Sequence, residues 1–401
     1  MIGALNYKTV AKTHDFRMPE NVKIGRNSFF SIHEDIRNLN PTKIIFVSDK
    51  GLKNAGVVEE VINELSIHNI PIEEFTNIVG EPDFEIVQEA IDFIQKHHGD
   101  LVIGLGGGSA LDVAKASAAL VNKEPIIVEK ILAGEAVPEA KGVTCILVPT
   151  TSGTGSEVTM NAIFGDHKND VKRGIVSPYY LPDIAIIDPV LTVSCPPMVS
   201  AASGVDAFTH AIESYVSKKA TPLTKMYAEA AMKRFSKNIS KVVFNGSDLD
   251  AREEMSWVSF LAGVSLANAG VGAVHALAYP LGGKYNIAHG VANALLLPYV
   301  FNVTGKTCID EMVQIADFLH LGDFRDEPHQ AQNAVVDYLY GLLEALNLPK
   351  SLKELHVVED DLRNLAIEAS KVSRLLDNTP FKLNMESIHE IYQNAYDGTL
   401  N

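Results

Sequence analysis

Cysteine is scarce in this 401-residue chain: Cys145, Cys195 and Cys308 are the only three, far apart and without paired spacing. That excludes a disulfide framework, argues against a thiolate metal site and fits a reducing, cytoplasmic setting. Basic residues are also few, with 34 Lys and Arg against 50 Asp and Glu, giving a net charge of −16. Nucleic acid and anionic membrane surfaces both demand clustered Lys and Arg, so neither is an expected partner. The amino terminus, MIGALNYKTVAKTHDF, lacks a basic-then-apolar signal pattern. Linkers rich in Pro, Gly or Ser, internal repeats and low-complexity segments are all missing. One stretch lacks charge altogether, from Met255 to Gly283. It is long enough to span a bilayer. Asn268, His275, Pro280 and several glycines interrupt it, and no basic cluster flanks it. Those features predict a helix buried between neighbours rather than a membrane span.

What is present divides near residue 190. Before it, short β-rich runs alternate with helical patterns. KIIFVSD (43–49), DLVIGLGGGS (100–109), VTCILVPTT (143–151) and DIAIIDP (183–189) read as strands or strand-to-turn junctions. Helical periodicity covers 54–69, 83–98 and 110–121. Strands alternating with helices predict a parallel sheet covered on both faces. From about 196 onward the periodicity is helical, as in 226–243, 251–270 and 331–347. The expected architecture is an α/β domain over 1–189 and an all-α domain over 190–401, packed around a shared cleft.

Two loops in the first half suit phosphate. Gly104-Leu-Gly106-Gly107-Gly108-Ser109 follows an apolar strand and opens a helix. Glycine lets backbone approach a ligand, and the free N–H groups of a helix start favour anions. The same turn would also serve purely geometric ends. PTTSGTGSE (149–157) supplies hydroxyls and glycines after the next strand. It reads equally as a helix-capping turn, with Glu157 the capping-box partner of Thr154. Asp49 ends the first strand and suits either a ribose or a helix cap. As a ribose ligand it would favour NAD over NADP. In the usual dinucleotide fingerprint the acid follows the glycines by ~20 residues; here it precedes them.

The second half contains Asp206 and His210 in SGVDAFTHAIESY, and His275 and His289 bracketing HALAYPLGGKYNIAH. On a helix, Asp206 and His210 share a face. One carboxylate and three imidazoles form a complete donor set for Fe²⁺ or Zn²⁺. Taken singly, each histidine could equally be a satisfied core residue.

Together, GGGSALDVAKA, PTTSGTGSEVT, SGVDAFTHAIESY and VHALAYPLGGKYNIAHGVANALLLP resemble the signatures of the iron-containing, group III alcohol dehydrogenases, in order and spacing. The likeness runs from about Lys43 to RLLDNTP (374–380), and lactaldehyde reductase and 1,3-propanediol dehydrogenase members look similar. The resemblance implies a Rossmann-like sheet domain followed by a helical domain, the architecture shared with dehydroquinate synthases. It implies Asp206, His210, His275 and His289 as ligands to Fe²⁺, with Zn²⁺ as an alternative. Asp49, Gly107, Gly108, Ser109, Thr150, Thr151, Thr154 and Lys172 would contact NAD(H). It also implies hydride transfer between NAD(H) and a small alcohol, aldehyde or ketone, in a homo-oligomer of two or more subunits. Two positions depart from the pattern. Tyr279 stands where many members carry a second pocket histidine, and with an ordinary pKa near ~10 it is a poor proton shuttle. Tyr279 would instead shape the substrate pocket. Glu81-Pro82-Asp83-Phe84 replaces a common Asn-Pro pair, which puts a cofactor contact at Asp83 in question. A dehydroquinate synthase-like lyase, a hydroxyacid–oxoacid transhydrogenase and a non-enzymatic binding protein are the competing readings.

Overall fold

The computed structural model describes residues 13–166 and 171–400. Most of the amino-terminal segment without a signal pattern lies outside them. Eight strands occur among the described residues: β1 (Asn21–Ile24), β2 (Ile44–Asp49), β3 (Ile72–Ile78), β4 (Leu101–Gly106), β5 (Thr144–Pro149), β6 (Asn161–Asp166), β7 (Val171–Val176) and β8 (Ile184–Ile187). Six form a parallel sheet in the order β1-β8-β5-β4-β2-β3. The central strands are near-continuous apolar runs because both sheet faces are covered. Alternation then sorts them. Ile45, Val47, Val102 and Leu147 enter the core on one face. Ile44, Phe46, Ile103 and Ile146 enter the other.

The helix Gly108–Leu120 lies close against this sheet. A side chain at Gly104 would strike Ala114 and Leu147 at 2.6 and 2.7 Å, so glycine there sets the helix-to-strand distance. Parallel register places Gly106 beside Pro149. The carboxyl ends of β2, β4 and β5 therefore line up at one sheet edge, where open α/β sheets take ligands.

Helices dominate from Pro197 to the carboxyl end and share one large apolar cluster. The charge-free stretch becomes two buried helices, Leu249–Ala269 and Ala273–Tyr285, meeting at 100°. Gly270, at φ +71°, ends the first. No single helix among the described residues is long and apolar enough to cross a membrane.

Two local expectations need correcting. The helix expected over 54–69 is broken at Gly56 (φ +79°), with Lys50–Asn54 before it and Val57–Leu65 after it. The antiparallel β6–β7 hairpin had no strand signal in the sequence reading. Its inward face is apolar only at scattered positions, and β7 carries Lys172 and Arg173.

Candidate metal centre and nucleotide cleft

Asp206 and His210 sit one turn apart on the helix Pro197–Val216. His275 lies in the first turn of Ala273–Tyr285, and His289 is the first residue of His289–Thr304. One donor atom from each of the four falls within 4.8 Å of the others. The three imidazole Nε2 atoms stand 3.7, 3.7 and 3.9 Å from Asp206 Oδ1, beyond hydrogen-bond range. Donors that each sit ~2.0–2.2 Å from a common ion lie roughly 3–3.5 Å apart, so a small contraction would seat one. His275 Nε2 is buried without a hydrogen-bond partner and aims into this space. The donor set thus fits a divalent ion of the iron or zinc type.

Burial pushes His210 and His289 down to about 4, partly offset by Asp206. Both are therefore neutral and able to donate lone pairs at neutral pH. Burial alone would raise the Asp206 carboxyl, but the three histidines and the Asn293 amide hold it below its ordinary value. Three of the four side chains are almost fully buried, while His289 keeps 21% exposure.

Two supporting residues escaped the sequence reading. Glu213 Oε2 accepts from His275 Nδ1 at 2.6 Å, and Oε1 accepts from Val274 N at 2.7 Å. The first bond fixes the tautomer that leaves Nε2 free for a metal. The second satisfies an open amide at a helix start whose Gly272 cap has no side chain. Asn293 donates to Asp206 Oδ1 at 2.7 Å, from one turn beyond His289. The available signal was spacing: Glu213 lies seven residues after Asp206 and Asn293 four after His289, each on the ligand face.

The four candidate donors line part of a cavity of ≈ 720 Å³. Gly108, Ser109, Thr154 and Lys172 line it from the sheet half, and Tyr279 lines it from the helical half. The helix Gly108–Leu120 begins there with no side-chain cap, so its first N–H groups are open to an anion. Thr151 and Thr154 stand against Gly107 and Gly108. Thr150 N donates to Gly106 O at 2.9 Å and joins the two loops. Asp49, Gly107, Thr150 and Thr151 are outside the cavity lining, at the carboxyl ends of β2, β4 and β5. Asp49 accepts from Leu52 N at 3.0 Å, so it caps a short helix.

Other residues take unexpected roles. Thr154 Oγ1 accepts from Ser156 N at 3.2 Å, and Glu157 forms no capping box with it. Glu157 is buried instead, its carboxyl pushed up to about 7 by that burial. Lys115 is buried as well, donating to Ser156 O at 2.9 Å and Oγ at 2.7 Å beside Asp112 at 3.0 Å. Asp112 also accepts from Ile163 N at 2.8 Å, tying the glycine helix to β6. Asp83 accepts from Ile86 N at 2.9 Å and so caps the helix Phe84–His97. Lys172 is paired with Glu81.

Comparison with known proteins decides the family. A model described as iron-containing alcohol dehydrogenase matches residues 19–189, and one for the carboxyl-terminal part of the same family matches 200–396. This chain belongs to the iron-containing alcohol dehydrogenase family. It is 39% identical to long-chain-alcohol dehydrogenase 1 of Geobacillus thermodenitrificans, over 94% of this chain and 95% of that one. It is 30% identical to the lactaldehyde reductase of Escherichia coli strain K12, over 94% of this chain and 98% of that one. A crystal structure of a 1,3-propanediol oxidoreductase superposes with a TM-score of 0.91 at 30% identity, covering 96% of this chain and 100% of the other. Membership in the iron-containing alcohol dehydrogenases makes the chain an oxidoreductase of alcohols and aldehydes with NAD(H) and iron as cofactors. The lyase and transhydrogenase readings are not favoured by these relatives.

Proposed function

We propose that Asp206, His210, His275 and His289 hold the iron, with Zn²⁺ as an alternative occupant. Asp49, Gly107, Gly108, Ser109, Thr150, Thr151, Thr154 and Lys172 would seat NAD(H). The carrying observation is that four convergent donors and an open helix N-terminus face one cavity. A divalent ion supplies Lewis acidity toward a substrate oxygen, and the nicotinamide accepts or donates hydride. Asp206 gives the donor set one negative charge, so a divalent ion held there would keep a net positive charge toward a substrate oxygen. Glu213 keeps His275 oriented, and the apolar lining at Ile163, Phe164 and Leu266 excludes water. Tyr279 stays protonated because burial raises its pKa, with Arg374 opposing. It is therefore a hydrogen-bond donor and a pocket wall rather than a proton acceptor.

The division into 1–189 and 190–401 is proposed as two domains, since the last sheet strand ends at Ile187 and the first long helix begins at Pro197. Three free cysteines support a cytoplasmic setting. Among the described residues strand β1 borders only β8, and this sheet edge supports the reading of a homodimer or larger assembly. A panel of simple alcohols and aldehydes, followed by NADH absorbance with Fe²⁺, Zn²⁺ or chelator, tests the reading. Turnover that survives complete metal removal would refute it.

A further inference from the structure

Among the described residues, the cavity contains one permanent cation with no acid of its own. Lys172 and Arg374 both line it. Lys172 is neutralised by Glu81. Arg374 has no carboxylate within salt-bridge distance among the described residues, although the chain as a whole is strongly acidic. Its guanidinium occupies the space over Gly174 of β7. A Cβ built there would lie 2.7 Å from Arg374 Nη2 and 3.0 Å from the Tyr279 hydroxyl. The two polar groups therefore meet at one point on the cavity wall. Tyr279 follows His275 by one turn of the same helix, about 6 Å of rise between their backbones. Tyr279 is 6.3 Å from His289, measured between ring centroids.

We propose that Arg374, with the Tyr279 hydroxyl beside it, recognises an oxyanion at the far end of the substrate, so that the preferred substrates are short ω-hydroxy or ω-oxo acids. The proposal rests on the metal-site reading given above. With its reacting oxygen at the four-donor site, a three- or four-carbon chain extends roughly 5–6 Å at ordinary bond lengths. The four donors and Arg374 line the same cavity, so its carboxylate or sulfonate stays within the space that the guanidinium borders. Arginine suits this task, since its planar fork matches a two-oxygen anion and its charge never titrates in the working range. An apolar alcohol of the same shape would leave the guanidinium to water.

The test compares 4-hydroxybutanoate with its apolar isostere 4-methylpentan-1-ol, using the NAD- and metal-loaded enzyme. The wild type should favour the acid in kcat/KM. Arg374→Met should lower the acid-to-isostere ratio about tenfold, the low end for a charge-assisted hydrogen bond because Arg374 is exposed. Arg374→Lys should restore part of it. Bracing Tyr279 alone would leave the ratio unmoved, so an unchanged ratio overturns the proposal. NADH affinity, read by fluorescence titration, covers the other oxyanion in the cleft. If Arg374→Met weakens NADH binding tenfold and spares the ratio, the arginine serves a cofactor phosphate and the proposal fails. If neither compound turns over, the comparison moves from turnover to binding. Calorimetric titration of 4-hydroxybutanoate then decides: about tenfold weaker binding to Arg374→Met sustains the recognition role, and equal binding ends it.

Discussion

Glu213→Gln isolates the support beneath the metal site without altering volume or a ligand. In the native chain both carboxylate oxygens accept, one from His275 Nδ1 at 2.6 Å and one from Val274 N at 2.7 Å. An amide has one accepting oxygen and one donating nitrogen. Glutamine can serve His275 or Val274, but at the other position two donors face each other. If it serves Val274, the His275 ring loses its anchor and is free to turn its Nδ1 or its protonated Nε2 toward the ion. Glu213 is almost fully buried, so water does not repair the mismatch. Loss of such an outer partner costs about 10–100-fold in metal affinity, or about 1.4–2.7 kcal/mol. The assay is competition for Fe²⁺ or Zn²⁺ against a chelator of known affinity, alongside circular dichroism to show that the helices persist. Metal affinity within twofold of the wild type would refute the reasoning, because Glu213 would then be only a helix cap. A loss of activity restored at high metal concentration would locate the defect in binding.

Three further outcomes follow from the same geometry. His275→Ala should lose both bound metal, by elemental analysis, and NAD-linked alcohol oxidation; full retained activity would end the metal assignment. Asp49→Asn keeps an acceptor for Leu52 N but removes the charge, so the NADP-to-NAD ratio of kcat/KM should rise about tenfold; an unchanged ratio removes Asp49 from the cofactor site. Glu157, raised from 4.5 to about 7, binds a proton in the folded chain that the unfolded chain has already released. Stability should therefore fall as pH rises from 4.5 through 7, by up to about 3 kcal/mol. Glu157→Gln should raise the melting temperature more at pH 8 than at pH 5, and an equal gain at both would show that Glu157 does not titrate.

The four proposed metal donors were legible because their chemistry and their spacing reinforce each other. Asp206 and His210 must share a helical face, and His275 and His289 fall in short motifs of the family. The sheet was legible where burial on both faces removes alternation, as in Ile44–Val47 and Leu101–Ile103. Edge strand β1 was not, since it is partly exposed along its length, and β6 was not, since its buried face mixes Ala162 and Phe164 with Asp166. Glu213 shows a different limit. It was in plain view within SGVDAFTHAIESY, yet a glutamate becomes a histidine's partner only when another helix brings a ring 62 residues on to it. Arg374 shows the same limit more sharply, because three separate segments, Gly174, Tyr279 and the tail, make its position meaningful. Sequence motifs report what a family keeps around the reacting atoms. What distinguishes one member's substrate is written in contacts between segments, and at Tyr279 that contact is an arginine rather than a second histidine. The departure that looked like a missing proton relay is therefore better read as one half of a recognition pair.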